Sequence, residues 1–213
     1  MAIYHCSIKV ISRGKGKSAV AAAAYRAGEK ITNEFDGMTH DYTHKGGIVH
    51  TEILLPNQAP AEYADRAVLW NEVEKVEKAK NAQLAREIEI ALPRELTREQ
   101  SISLVREYVK RHFVAAGMCA DVCLHDTGGG NPHAHIMLTM RPFDERGEWG
   151  AKQKKEYILD RDGKKIYDPK SGSTNVNPFP LPTGTSRPKR RNGGRHGRGF
   201  AIRHWSRTDT RSA

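Results

Sequence analysis

Cys123-Leu124-His125-Asp126-Thr127-Gly128-Gly129-Gly130-Asn131-Pro132-His133-Ala134-His135-Ile136-Met137-Leu138-Thr139-Met140 is the stretch that decides how this chain folds. Apolar runs at 118–124 and 134–141 read as strands, and the Gly, Asn and Pro between them make a short, flexible turn. Two strands joined this closely return beside one another and pair antiparallel. The chain upstream of them alternates strand and helix, in the order β-α-β-α-β-α-β-β. That order predicts an α+β layer architecture: a central antiparallel β-sheet with helices packed mainly on one face.

Upstream, the strongest strand signal is Ala85-Arg86-Glu87-Ile88-Glu89-Ile90-Ala91-Leu92-Pro93. Strict alternation sends Glu87 and Glu89 to one side of the strand and Ile88 and Ile90 into the core on the other. Residues 3–11 predict another strand, with His5, Ser7 and Lys9 on its wetter face, and residues 48–55 a further one ended by Pro56. Between these strands Ser18 can cap an Ala-rich helix that runs through Tyr25 to about Lys30. Helical spacing of apolar residues continues from Ala61 to about Lys80, with Trp70 as its anchor to the core. A third helix, from Thr97 to about Ala116, opens with the capping-box pattern Thr97-Arg98-Glu99-Gln100. Asp162-Gly163, between short β-prone runs at 156–167, predicts a protruding polar hairpin.

His133 and His135 flank Ala134 and therefore point to the same side of one strand. His125 ends the preceding strand, so the Gly-rich turn brings a third imidazole beside them. Three neutral imidazoles with coordination positions left open are a catalytic metal geometry, whereas structural sites are closed by four ligands.

Composition agrees with a polyanionic partner. Lys and Arg number 35 against 25 Asp and Glu, a formal charge of +10. Such a surface binds nucleic acid by releasing the counterions condensed on phosphates. Much of the excess lies in the Arg- and Gly-rich run from Arg187 to Arg211. No apolar run approaches the roughly 20 residues of a membrane span. The start of the chain, Met1-Ala2-Ile3-Tyr4-His5, lacks the sections of a signal peptide, so no membrane insertion and a cytoplasmic protein are expected. Cys6, Cys119 and Cys123 stand in apolar surroundings without CxxC spacing, and are expected to be buried free thiols.

The segment His125 to His135, with two histidines around a hydrophobic residue, resembles the metal motif of the MobA/MobL plasmid mobilisation relaxases, members of the HUH endonucleases. Ordered matches upstream strengthen the resemblance. The opening Met1 to His5, Ser18-Ala19 and Ala24-Tyr25-Arg26-Ala27 are similar to the family's N-terminus and its nucleophilic tyrosine, and Arg86 to Leu96 is similar to its central acidic strand. The similarity spans residues 1–172, an expected relaxase domain with the polar hairpin at about 152–170.

The resemblance implies strand-specific nicking of single-stranded DNA at a transfer origin in conjugative mobilisation. Tyr25 would be the nucleophile, Mg²⁺ or Mn²⁺ the ion held by His125, His133 and His135, and a 5′-phosphotyrosine the intermediate. A phenol is a weak nucleophile near neutral pH until a base or a cation favours its anion. Glu87, Glu89 and Glu95 are candidates to orient a ligand histidine, complete the metal's shell or take that proton. Of these, Glu95 is expected near Tyr25, with Glu87 or Glu89 behind a metal ligand. DNA contacts are expected from His5, Lys9, Arg13, Lys15, Lys17, Ser18 and Arg26. Relaxosome accessory proteins and a coupling protein are the implied partners. A rolling-circle replication initiator shares this chemistry but carries its tyrosine after the histidines, and a non-catalytic DNA-binding remnant would use the basic surface alone. Beyond about Ser171 the family-like sequence stops. A one-base shift in reading Ser173–Pro180 and Lys189–Gly194 would restore it, so 173–213 is expected to be a disordered basic tail produced by a frameshift that truncates a longer relaxase.

Overall fold

In the computed structural model, residues 5–129, 131–152, 167–168 and 173–174 are described. Five strands form one wholly antiparallel sheet: β1 (Cys6–Ser12), β4 (Ile48–Leu54), β5 (Gln83–Ala91), β6 (Ala120–His125) and β7 (His133–Thr139), in the spatial order β1-β5-β7-β6-β4. The β6–β7 hairpin is the one the Gly-rich turn predicts, with His125 directly opposite His133 and Cys123 opposite His135. The α+β architecture stands as expected.

Helices α1 (Ala19–Ala27) and α2 (Arg66–Val76) cover the sheet face that carries Ile11, Ala85, Cys119 and Met137, and Leu69 and Trp70 are fully buried there. The opposite face is covered by α3 (Arg98–His112), whose Val105 and Val109 pack on Ile88, Val122, Leu124 and Ile136. Two of the three helices thus share a face. The capping box is formed in full: Thr97 Oγ1 accepts from Gln100 N–H, and Gln100 Oε1 accepts from Thr97 N–H. Because α3 does not reach the edge strand β1, Ile8 is 66% exposed, while Ser7, assigned to the wetter side, has its hydroxyl buried.

Helix ends depart from the expected ones for local reasons. Ser18 caps α1, accepting from Ala21 N–H, but the helix stops at Ala27 because Gly28 turns left-handed (φ 68°) and closes it onto Ala24 O. The chain then makes a small hairpin, β2 (Lys30–Thr32) against β3 (Thr39–Asp41), in a stretch to which the sequence assigned no strand. The long helix expected from Ala61 is divided: a 3₁₀ turn at Ala61–Ala64 precedes Asp65, which caps α2 through Val68 N–H. One buried acid, Asp121 of β6, accepts from Arg66 Nε at 2.8 Å, Arg66 Nη2 at 2.9 Å and Trp70 Nε1 at 2.9 Å, which explains how a carboxylate survives in the core beneath α2.

Cys119 and Cys123 are buried free thiols as expected, but Cys6 is exposed, because it begins the uncovered edge strand. Tyr167–Asp168 (β8) pairs with Ser173–Thr174 (β9) across the expected boundary at 172. The Asp162-Gly163 turn and the chain beyond Thr174 lie outside the described residues. Among those described, no helix is long and apolar enough to cross a membrane.

Candidate active site

His125, His133 and His135 converge on the α1 side of the sheet. One ring nitrogen from each lies within 4.8 Å of those of the others, and the ring centroids are 5.3, 4.8 and 5.0 Å apart. Cross-strand pairing explains the grouping, since side chains of directly opposed residues are neighbours on one face.

Each ring is oriented through a nitrogen that does not have to bind a metal. His133 Nδ1–H donates to Asn131 O at 2.9 Å, and His135 Nδ1 meets Glu87 Oε1 at 2.9 Å. His125 Nε2–H donates to Arg26 O at 2.7 Å. This leaves a lone pair on the remaining nitrogen of each ring, the condition for a neutral-imidazole ligand. His125 is held neutral at physiological pH. Burial first, then the charge of Lys45 and the neighbouring histidines, push its pKa down to about 4. The donor set therefore fits a divalent ion.

Glu87 is the carboxylate that serves this cluster. It is 3% exposed, and it accepts from Arg26 Nε at 2.5 Å as well as from His135, while its other oxygen lies 2.5 Å from Arg26 Nη2. Burial alone would raise its pKa, but the hydrogen bonds from His135 and Arg26, with the Arg26 charge, bring it down to about 2. Glu89, on the same face, instead accepts from Lys9 Nζ at 2.8 Å and stays ionised for that reason. Glu95 is exposed in the turn leading into α3, the helix of the opposite face.

Tyr25 is 47% exposed near the end of α1. Its ring meets Tyr42 edge-on, with centroids 5.2 Å apart. Lys45 Nζ lies 3.7 Å from the Tyr25 ring centroid and donates to the Tyr25 carbonyl at 2.8 Å. Burial and the Arg26 charge lower the Lys45 pKa. Sequence reading missed Lys45, which sits in a loop without periodicity. The signal was the Gly46-Gly47 that follows it: Gly47 has φ 80°, a Cβ there would come within 2.8 Å of Thr127, and its carbonyl accepts from Asp126 N–H at 2.8 Å. The loop carrying Lys45 is thereby docked on the histidine turn.

The expected DNA-contacting residues divide into two groups. Lys15 and Lys17 are exposed in the loop before α1, and His5 is exposed beside Glu89, with Nε2 3.9 Å from its carboxylate. Lys9 is exposed but shared with Glu89. Arg13, Arg26 and Ser18 make contacts within the protein. Arg13 donates to Glu74 O at 2.9 Å, Glu77 O at 2.5 Å and the Glu74 carboxylate at 2.7 Å, closing the end of α2. Arg26 binds Glu87, and Ser18 caps α1 while accepting from Asn33 Nδ2 at 3.2 Å.

Known proteins share this arrangement of sequence and fold. A model of the MobA/MobL family matches residues 17–210. The chain is 41% identical over 178 residues to the probable mobilization protein MobA of Bifidobacterium longum, covering 81% of this chain and 32% of that protein. It is 45% identical over 190 residues to the conjugal transfer protein TraA of Agrobacterium fabrum, covering 82% of this chain and 17% of that one. A solved structure from work on the molecular basis of vancomycin resistance transfer in Staphylococcus aureus superposes with a TM-score of 0.68 at 38% identity, over 72% of this chain and 78% of that one. The chain spans about a third or less of the length of the first curated relatives it matches. With a family match over nearly its whole length and this degree of identity to mobilization proteins, the chain belongs to the MobA/MobL family.

Proposed function

We propose that this chain is the nicking domain of a relaxase, cutting and rejoining one DNA strand at the transfer origin of a plasmid or mobile element. The observation that carries this reading is the link between nucleophile and histidines. Arg26, next to Tyr25, receives the His125 N–H on its carbonyl and holds through its guanidinium the Glu87 that orients His135. Tyr25 Oη would attack the scissile phosphorus, forming a phosphotyrosine at the 5′ end as the P–O3′ bond breaks. The phenol proton leaves and the departing 3′ oxygen is protonated, so the number of phosphoester bonds is conserved and the strand can be resealed.

His125, His133 and His135 would hold the divalent ion, Mg²⁺ or Mn²⁺, which when bound polarises the phosphate and offsets the charge developing on its oxygens. Lys45 would place an ammonium beside Tyr25, where it draws the phosphate toward the phenol and favours the anionic form of the attacking oxygen. Glu87, kept ionised, would hold the His135 ring and resist its rotation when DNA arrives.

The test incubates the protein and Mn²⁺ or Mg²⁺ with end-labelled single strands tiling the non-coding DNA beside the gene. A denaturant-resistant protein–DNA adduct is expected, lost in Tyr25→Phe and in the presence of a chelator. Retention of DNA without any adduct would make the chain a non-catalytic DNA-binding protein.

A further inference from the structure

Where β5 leaves the sheet for α3, a cleft of about 270 Å³ opens between that turn and the histidine loop. Leu92 and Leu124 are buried at its base and Leu96 is half-buried beside them, so the cleft has an apolar floor beneath a polar rim. Arg94 and Arg98 are exposed around it, and His125 lines it too, so the cleft abuts the histidine cluster. The size falls just below that of ligand pockets, roughly 300–1,000 Å³, which suits a single nucleotide and is too small for a helix of a protein partner.

The charges around the cleft are uncommitted. Arg26, Arg66 and Arg141 each hold a carboxylate, whereas among the described residues neither Arg94 nor Arg98 makes a hydrogen bond or ion pair. The acid at the rim, Asp126, already accepts from Gly128 N–H at 2.8 Å within its own turn. The Thr97–Gln100 capping box takes up the Thr97 and Gln100 N–H groups, and the full positive charges available to an anion here are the two guanidinium groups. An apolar base flanked by free arginines matches a base between two phosphates.

We propose that this cleft is a nucleotide subsite for single-stranded DNA: one base next to the scissile phosphate rests on Leu92, Leu96 and Leu124, and Arg94 and Arg98 neutralise the phosphates on either side. That the strand is cut nearby rests on the function proposed above; that it binds here does not.

The experiment measures anisotropy of a fluorescein-labelled random-sequence 20-mer single strand with the full chain over a range of salt. In R94A/R98A the affinity falls roughly tenfold, and the slope of log K against log salt becomes shallower by about 1.4, about 0.7 per lost phosphate contact. K110A/R111A removes the same charge from the exposed far end of α3 and keeps the wild-type slope. An unchanged slope in R94A/R98A, or an equal change in K110A/R111A, overturns the subsite. A benzophenone amino acid at position 96 crosslinks to the DNA if the proposal holds; a crosslink to residues 175–213 of the same chain instead removes it. Because the readout is binding, the two ideas fail separately. A shallower slope in R94A/R98A without any Tyr25 adduct leaves the subsite and removes nicking, and an adduct with an unchanged slope does the reverse.

Discussion

Glu87 is a buried carboxylate held between a guanidinium and an imidazole, and its charge state ties the site to the stability of the whole protein. Its pKa of about 2 in the folded chain lies below the ordinary carboxylate value, so between roughly pH 4.5 and pH 2 the unfolded chain binds a proton that the folded chain refuses. Stability is therefore fully present above pH 4.5 and lost as pH falls through this window, by ~3 kcal/mol for a shift of this size. Urea unfolding at pH 5.5 and pH 2.5 should show this loss in the wild type and a smaller one in Glu87→Gln, which should also bind Mn²⁺ about 10- to 100-fold more weakly at pH 7. An equal acid loss in both proteins would remove Glu87 from this role. The alternation around Ile88 already placed Glu87 and Glu89 on one face. It did not say which of them would meet a histidine, because that depends on the register with β7 and on Arg26 arriving from 61 residues away. The carboxylate partners of Arg13 and Arg26 were hidden for the same reason, Glu74 and Glu87 each lying 61 residues away in sequence.

Elements with a strong local signal formed where the sequence put them. The Thr97–Gln100 box starts α3, strict alternation marks β5, and the Gly-rich turn joins β6 to β7. The β2–β3 hairpin was missed because its strands have only three residues each and no alternation long enough to read. The division of the second long helix was hidden because Asp65 fits an amphipathic pattern equally well as a surface residue or as a cap. Thr97→Ala should cost about 1 kcal/mol in urea unfolding, since it frees one amide and undoes the reciprocal Gln100 bond. A stability equal to wild type would mean that α3 does not depend on its box.

At the scale of the molecule, the histidines stand on two interior strands, with β5 and β1 on one side and β4 on the other. Their rings are aimed by Asn131, Glu87 and Arg26 rather than by an ion. Removal of metal should therefore leave the far-UV circular dichroism unchanged and lower the melting temperature only by the mass-action contribution of binding, in contrast to small zinc domains that unfold when stripped. A cooperative loss of secondary structure on adding chelator would contradict this. The strand order also sets how the protein yields to force. β1 is an edge strand at the start of the chain, and α1 follows it directly. Tension on the N-terminus would peel β1 from β5 and pull Tyr25 away next, while β6 and β7 still hold the three histidines in register, so mechanical strain separates Tyr25 from the histidines well before it unravels the protein.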